Sequence, residues 1–461
     1  SLLLPIAFSL YYHDGDSGAL FYSLLIIVSV GFLVWKLTPA NNGIRIREGF
    51  AVVTFSWLLL AGFGTLPFVL SDVQISFTEA FFETMSGFTT TGATILTDIE
   101  ALPHGVLFWR SLTHWFGGMG IIVLSLAILP MLGVGGMQLF KAEVPGPQVD
   151  KLQPRIQDTA KILWGVYVLF SLIETILLMF GGMSLFDALC HTFGTMATGG
   201  FSTKSVGIEY FNSAYIEYVI TFFMILAGTN FALHYRALRG QVKSYINNNE
   251  YRFYLGIILV VTLIIFFDTW LNHYSSASES FRKSIFQVTS LLTTTGFHTA
   301  DYETWSVSSQ LILLVLMFVG GCAGSTGGAI KVIRVFLTIK YGLLQLKRLI
   351  HPHAVIPIRL GTRSVPQEAM TDVLGFLLLY LMVFVLASVI MSLLGLDLIT
   401  SVSSVISTLG NIGPGVGNIG PTENYAHIPN LGKWVLSFLM LIGRLEIYTV
   451  LVIFNRDFWT K

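Results

Sequence analysis

Four short loops in this chain carry matching residue types: FTTTGAT at 88–94, ATGGF at 197–201, LLTTTGF at 291–297 and GNIGPG at 410–415. With Gly92, Gly200, Gly296 and Gly413 as anchors, two positions earlier stand Thr90, Thr198, Thr294 and Asn411, all polar. The anchors are 108, 96 and 117 residues apart. In the second loop Gly199 offers a competing register, and the Thr198 and Phe201 matches favour Gly200. Glycine leaves φ unrestricted, so backbone passing through it can turn its carbonyls toward one axis. A ring of carbonyls, helped by threonine hydroxyls, replaces the water shell of a cation. The pieces that would do this are Thr90-Thr91-Gly92, Thr198-Gly199-Gly200, Thr294-Thr295-Gly296 and Asn411-Ile412-Gly413. One Thr-x-Gly means little, because both residues abound in loops. Four at matched positions read as diverged copies of one unit.

The elements that position these loops follow from hydropathy. The 461 residues are 54% hydrophobic and 11% charged, with mean hydropathy +0.72. A soluble domain carries roughly 25% charged residues, so the chain belongs to the membrane class. Apolar runs long enough to span fall at about 19–37, 50–70, 106–132, 160–182, 215–238, 251–272, 306–345 (interrupted), 368–395 and 431–455. Ser1–Tyr12 looks like the remnant of one more. Between them lie shorter apolar runs, 78–88, 185–196, 281–292 and 398–409. At about 12 residues, roughly 18 Å of helix, these cannot cross. Glu79, Asp187, Lys283 and Thr400, each thirteen before an anchor, are placed at the starts of these half-helices. The order span, half-helix, Gly loop, span occurs four times, and the half-helix C-termini carry partial negative charge suited to a cation.

The predicted fold is an all-α polytopic membrane protein. It has four membrane–pore–membrane repeats around one pseudo-fourfold pore, preceded by an extra helix pair. The predicted divisions are 1–37 for the pair, then 50–132, 160–238, 251–345 with a broken inner helix, and 368–455. Lys36, Arg45 and Arg47, then Lys141, Lys151, Arg155 and Lys161, and later basic clusters crowd the connections between repeats. By the positive-inside rule those connections are cytoplasmic and the Gly loops open outward. Arg282 and Lys283 are exceptions on the outward side. The 26 basic and 26 acidic residues cancel, which gives no field for nucleic acid.

Two further features bear on flow through such a pore. FVGGCAGSTGGAIKVIR, 318–334, interrupts the inner helix of repeat three with Gly320, Gly321, Gly324, Gly327 and Gly328 around Ser325 and Thr326. So many glycines break a helix at real cost. They form either close helix packing or a flexible loop obstructing the pore. Arg444 interrupts the apolar stretch WVLSFLMLIGRLEIYTVLVIF. An intramembrane charge faces an interior or a watery path. It lies in the pore below the filter or pairs with an acid such as Glu174. Asn230 is a candidate for the same cavity or for packing. Ser325 lacks the flanking glycines of GxSxG, no GK[ST] follows the glycine run, and no nucleophile–base pair can be assembled, so no enzyme is predicted. The histidines, including His104, His114, His191 and His234, lack ligand spacing, and a transition-metal site is not expected. Cys190 and Cys322 read as buried thiols.

On these loops and this order of elements, the chain resembles the Trk/Ktr/HKT superfamily of potassium transporters, most closely the TrkH-type membrane subunit of bacteria. The resemblance covers essentially the whole chain. It implies potassium and rubidium uptake across the bacterial inner membrane through one pore, with the filter side periplasmic and potassium as substrate at the loop residues. It implies selectivity for potassium where all four filter positions are glycine, as here, whereas serine in the first loop accompanies sodium permeation. It also implies gating by the 320–328 loop and by Arg444, a homodimer, and a cytosolic nucleotide-binding regulatory subunit of the TrkA type. No cofactor is expected in this chain. The alternative reading is a proton- or sodium-coupled potassium symporter, with Glu174 and Asp268 as membrane acids.

Overall fold

The apolar runs form helices whose ends follow local capping chemistry. In the computed structural model of the chain, residues 2–38, 46–127, 153–354, 356–361 and 363–460 are described. Arg45, Lys141 and Lys151 lie outside the described residues, as does 128–132 at the end of the first predicted repeat. After a hairpin of Leu3–Tyr12 and Ser17–Leu37, the helices fall into four sets of outer helix, half-helix and inner helix. The outer helices are Ile46–Gly64, Gln153–Phe180, Asn249–Asn272 and Gln367–Leu393. The half-helices are Phe77–Phe88, Leu185–Met196, Ala277–Leu292 and Leu398–Leu409. The inner helices begin at His104, Ala214, Val307 and Asn430. Five described helices are long and apolar enough to cross a membrane, or seven if each of two bent pairs counts as one span. The described residues hold one small sheet, a hairpin pairing Arg359–Leu360 with Arg363–Ser364.

Three half-helices start where a short polar side chain caps the first free N–H groups. Ser76 and Glu79 form a reciprocal capping box, Ser184 accepts from Asp187 N at 3.0 Å, and Asp397 accepts from Thr400 N at 3.1 Å. The third differs from expectation. It begins after Ser276 and runs 16 residues, so Lys283 sits inside the helix rather than at its start. There Lys283 Nζ lies 3.1 Å from Glu217 Oε1 and donates to Thr299 O at 2.6 Å, while Arg282 Nε is 3.0 Å from Glu217 Oε2. The two outward-side bases are thus held by one buried carboxylate on the second inner helix.

The inner helices also depart from the sequence reading. The run 215–238 is not one straight helix, because Ala214–Ala227 and Phe231–Leu238 meet at 102°. Asn230 makes the corner by accepting from Ala232 N at 2.8 Å as the N-cap of the second piece. The run 431–455 bends by 112° after Arg444. At this bend Glu446 and Ile447 take φ of 59° and 44°, uncommon for side chains with a Cβ. The hairpin at the N-terminus secures the start of the first inner helix. Asp14 Oδ2 accepts from His104 N at 2.6 Å and Asp16 Oδ2 from Val106 N at 3.1 Å. Cys190 and Cys322 are buried and unbonded to each other.

Candidate ion pathway

Each half-helix ends in the same way, and this ending aims the loop. The N–H of Thr91, Gly199, Thr295 and Ile412 reaches back five residues, to the carbonyls of Ser86, Gly194, Ser290 and Ser407, at 2.8–2.9 Å. This is a Schellman closure, whose preceding residue must be left-handed. That residue is Thr90, Thr198, Thr294 or Asn411, with φ of 51°, 54°, 59° and 54°. Threonine in this region costs on the order of 1–3 kcal/mol and persists only where the surroundings fix it. Gly92, Gly200, Gly296 and Gly413 follow with φ of 81°, 78°, 79° and 100°. In the second loop the two positive φ values fall on Thr198 and Gly200, in register with the other three.

The four anchors close a ring. A Cβ on Gly92 would lie 2.0 Å from Gly199 O, on Gly200 2.1 Å from Thr295 O, and on Gly296 1.9 Å from Ile412 O. On Gly413 it would lie 2.7 Å from Thr91 O, which completes the circuit. Every anchor therefore abuts the carbonyl that precedes the next anchor, and no side chain fits between. All four anchors also line one vestibule, together with Ala93, Phe297, Pro414 and Tyr425. The inner helices of units 1, 2 and 4 pack on the half-helices of units 2, 3 and 1, holding the circuit from outside.

On the opposite side of the ring the 318–331 segment fills the space. Val319 and Ile330 form an isolated bridge, with Gly320 N donating to Ile330 O at 2.8 Å, so the segment is a closed loop rather than a frayed helix. Gly328 N donates to Thr294 Oγ1 at 2.6 Å, and Ala329 N to Gly410 O at 2.9 Å. Thr326 Oγ1 donates to Met196 O at 3.0 Å and to Ala227 O at 3.1 Å. Ser325 turns its hydroxyl back to Cys322 O at 2.6 Å, and Gly321 accepts from Val332 N at 3.1 Å. Gly324, at φ 73°, packs on Asn230 and accepts from Phe231 N at 3.1 Å.

Arg444 completes this arrangement. Its guanidinium donates from Nη1 to Thr326 O at 2.7 Å and from Nη2 to Gly117 O at 3.3 Å. Lys331 Nζ donates to the next loop carbonyl, Gly327 O. The alternative partner Glu174 is not among the groups that Arg444 bonds. Glu174 is fully buried on the second outer helix beside Thr195. Glu446 turns to Arg334, at 2.6 Å from Nη2. The loop is thus tied to the half-helix ends of units 2 and 4, to a ring threonine of unit 3 and, through Arg444, to unit 1. Lys331 reads in the sequence as one more base of the cytoplasmic connections, and the structure instead buries it against the loop. Among the described residues no group of three or more His, Cys, Asp or Glu could hold a metal. Two other candidates have local partners: His191 bonds Asp187 O and Ser202 Oγ at 2.7 and 3.0 Å, and Asp268 accepts from Ser309 Oγ at 2.6 Å.

Residues 19–460 match the family described as TrkH, cation transport protein. The chain belongs to the TrkH family. It is accordingly a multi-span membrane transport protein and not an enzyme. The Trk system potassium uptake protein TrkH of Salmonella typhimurium is 43% identical, over 100% of this chain and 96% of that one. The Trk system potassium uptake protein TrkG of Escherichia coli (strain K12) is 35% identical, over 100% and 95%. The crystal structure of the potassium transporter TrkH from Vibrio parahaemolyticus superposes with a TM-score of 0.92 at 37% identity, covering 99% of this chain and 96% of that one.

Proposed function

We propose that this TrkH-family chain takes up potassium, with rubidium, across the bacterial inner membrane through the ring of loops. The observation that carries the reading is the closed circuit of anchors against carbonyls. Backbone carbonyls of 90–92, 198–200, 294–296 and 411–413 replace the ion's water, and four half-helix C-termini add partial negative charge beneath. The vestibule side faces the periplasm and the basic connections face the cytoplasm, by the positive-inside rule.

The 320–328 loop and Arg444 form the gate. Charge-assisted hydrogen bonds contribute about 1.5–3 kcal/mol each, so the two from Arg444 resist opening by about 3–6 kcal/mol. A ligand that shifts a closed majority to an open one must supply about 5.5 kcal/mol of differential binding. That scale fits control by a separate partner, here a cytosolic nucleotide-binding subunit, with the transporter acting as a homodimer. Such a subunit would dock on the basic cytoplasmic surface that includes Arg239, Lys243 and Lys340.

The test is rubidium uptake into liposomes holding the purified protein, with potassium or sodium as competitor and with proton and sodium gradients imposed separately. Potassium should compete and sodium should not, and neither gradient should drive accumulation. Equal competition by sodium would sink the selectivity claim. Accumulation driven by either gradient would favour the symporter, with Glu174 as the acid to mutate first.

A further inference from the structure

The four ring strands are not braced from behind in the same way. In the first, the Thr89 and Thr91 hydroxyls share a hydrogen bond of 2.8 Å. In the third, Thr293 and Thr295 do so at 2.7 Å. The fourth uses Ile412, buried in an apolar cluster, and Asn411, which donates to Thr91 Oγ1 at 3.0 Å and to Met440 O at 2.9 Å. The second strand has Ala197 and Gly199 at the two threonine positions, so it carries no hydroxyl pair.

Gly199 is not required by its backbone, because its φ lies outside the left-handed region. What excludes a side chain there is His114. A Cβ on Gly199 would lie 2.6 Å from the imidazole Cδ2 and Cγ and 2.8 Å from Nδ1. The ring therefore stands where the threonine side chain would stand, and it comes from the inner helix of unit 1. At the same distance from the start of the other three inner helices stand Met224, Met317 and Met440, all buried. The comparison with the fourth is in register, since Gly117 and Gly443 each hold their missing Cβ 2.0 Å from the carbonyl four before the anchor, Phe88 O and Leu409 O.

His114 is fixed on two sides. Its Nδ1 is 2.7 Å from Gly87 O, and its ring stacks on Phe201 with centroids 4.0 Å apart and planes 24° apart. One helical turn earlier, on the same face, Arg110 places its guanidinium 3.6 Å from the Phe201 centroid. Two groups that close cannot share one face, so the Phe201 ring lies between them. Arg110 also donates to Ser202 O at 2.9 Å and is held by Glu83 at 2.6 Å.

We infer that Arg110 and His114 are positioning residues: a clamp by which unit 1 sets the second ring strand, in place of the missing threonine pair. Cation discrimination then depends on His114 although it does not touch the ion. This rests on the filter reading above. The test uses rubidium uptake by the full chain in liposomes, scored as the ratio of sodium to potassium needed for half-competition, on variants that remain monodisperse by size exclusion. His114→Ala should lower that ratio by about tenfold, in line with removing a buried ring without collapse of the site. Gly199→Thr should lower it similarly, because the new side chain meets the imidazole. The double variant His114→Ala/Gly199→Thr should recover it to within about threefold. His114→Phe keeps a flat ring on Phe201 and should retain discrimination, whereas His114→Met, the residue of the other three units, should lose it. A merely space-filling role predicts that methionine serves as well as phenylalanine, and that result overturns the clamp. A double variant no better than the worse single also overturns it. If Gly296→Ser loses discrimination while every His114 variant keeps it, the clamp fails and the filter stands. A wild-type chain that takes up sodium as readily as potassium overturns both.

Discussion

The loops of this protein repeat, whereas its inner helices do not. All four loops close with the same backward hydrogen bond, the same two left-handed residues and the same contact to the next carbonyl. The inner helices differ in every unit. The first is continuous from His104 to Ala127, the second and fourth bend by 102° and 112°, and the third gives way to the 318–331 loop. On the proposed reading the contrast follows from two tasks. Coordinating a spherical ion would ask for equivalent carbonyls on all sides, and so for one loop geometry. Blocking a pore would need only one loop and one charge, with the other inner helices as their anchor points.

If that division holds, variants should separate along it. The largest effect is expected from deleting 320–328, with Arg444→Ala close behind. Rubidium uptake should rise by about tenfold or more, since each lost charge-assisted bond is worth about 1.5–3 kcal/mol, and in Arg444→Ala, which keeps the Gly328–Thr294 contact, potassium over sodium preference should stay unchanged. Uptake that does not move in either variant would remove the gate from this region. Next in size, Gly296→Ser should cut discrimination against sodium by about tenfold or more without changing the response to Arg444→Ala, because its Cβ would meet Ile412 O at 1.9 Å. Competition assays on the single and double variants read both at once. Gly413→Ser should do less, since its nearest carbonyl, Thr91 O, is 2.7 Å away. Equal loss at 296 and 413 would mean that the strained φ, not the close contact, sets the cost.

The smallest effect concerns the link between first half-helix and fourth inner helix, where Glu79 Oε1 is 3.0 Å from Lys433 Nζ. The Ser76 N–H, and after it Lys433, hold the Glu79 carboxyl below its usual range. A carboxyl depressed in the folded state adds stability that is present above its unfolded pKa and lost as pH falls through the folded value. Glu79→Gln should therefore lower Tm by about one degree or less at neutral pH in a chain of 461 residues, for a partly exposed pair worth about 1 kcal/mol or less. The gap from wild type should narrow on acidification below about pH 4. A gap that widens in acid would show that Glu79 acts through something other than its charge.

Much of this was legible in the residues, and the limits are physical. Thr90, Thr198, Thr294 and Asn411 mark the ring because each stands two before a free-φ glycine at the end of a short apolar run, a local pattern that occurs four times. The glycines of 318–334 announce a break for the same reason. The bend at Gly228–Asn230 has a weaker signal, an N-cap residue inside an apolar run. The bend at Glu446–Ile447 has none, because neither residue favours positive φ and the Arg334–Glu446 contact crosses 112 residues of chain. Lys283 stands six residues inside its helix, which begins at Ala277 ahead of the apolar run and without a side-chain cap to mark the start.

Hydropathy, span length and local turn chemistry depend only on neighbours along the chain, so a membrane protein with four half-helix loops can be read from the residues alone. Which residue touches which is set by the packing of the helices. Arg444 bonds one loop carbonyl, Thr326 O, and one carbonyl of the first inner helix, Gly117 O, rather than Glu174, and the imidazole of His114 occupies the space that Gly199 leaves empty. Those contacts join units whose partners are far apart in sequence, and a hydrogen bond or a close approach carries no mark on the residues that make it until the helices are packed.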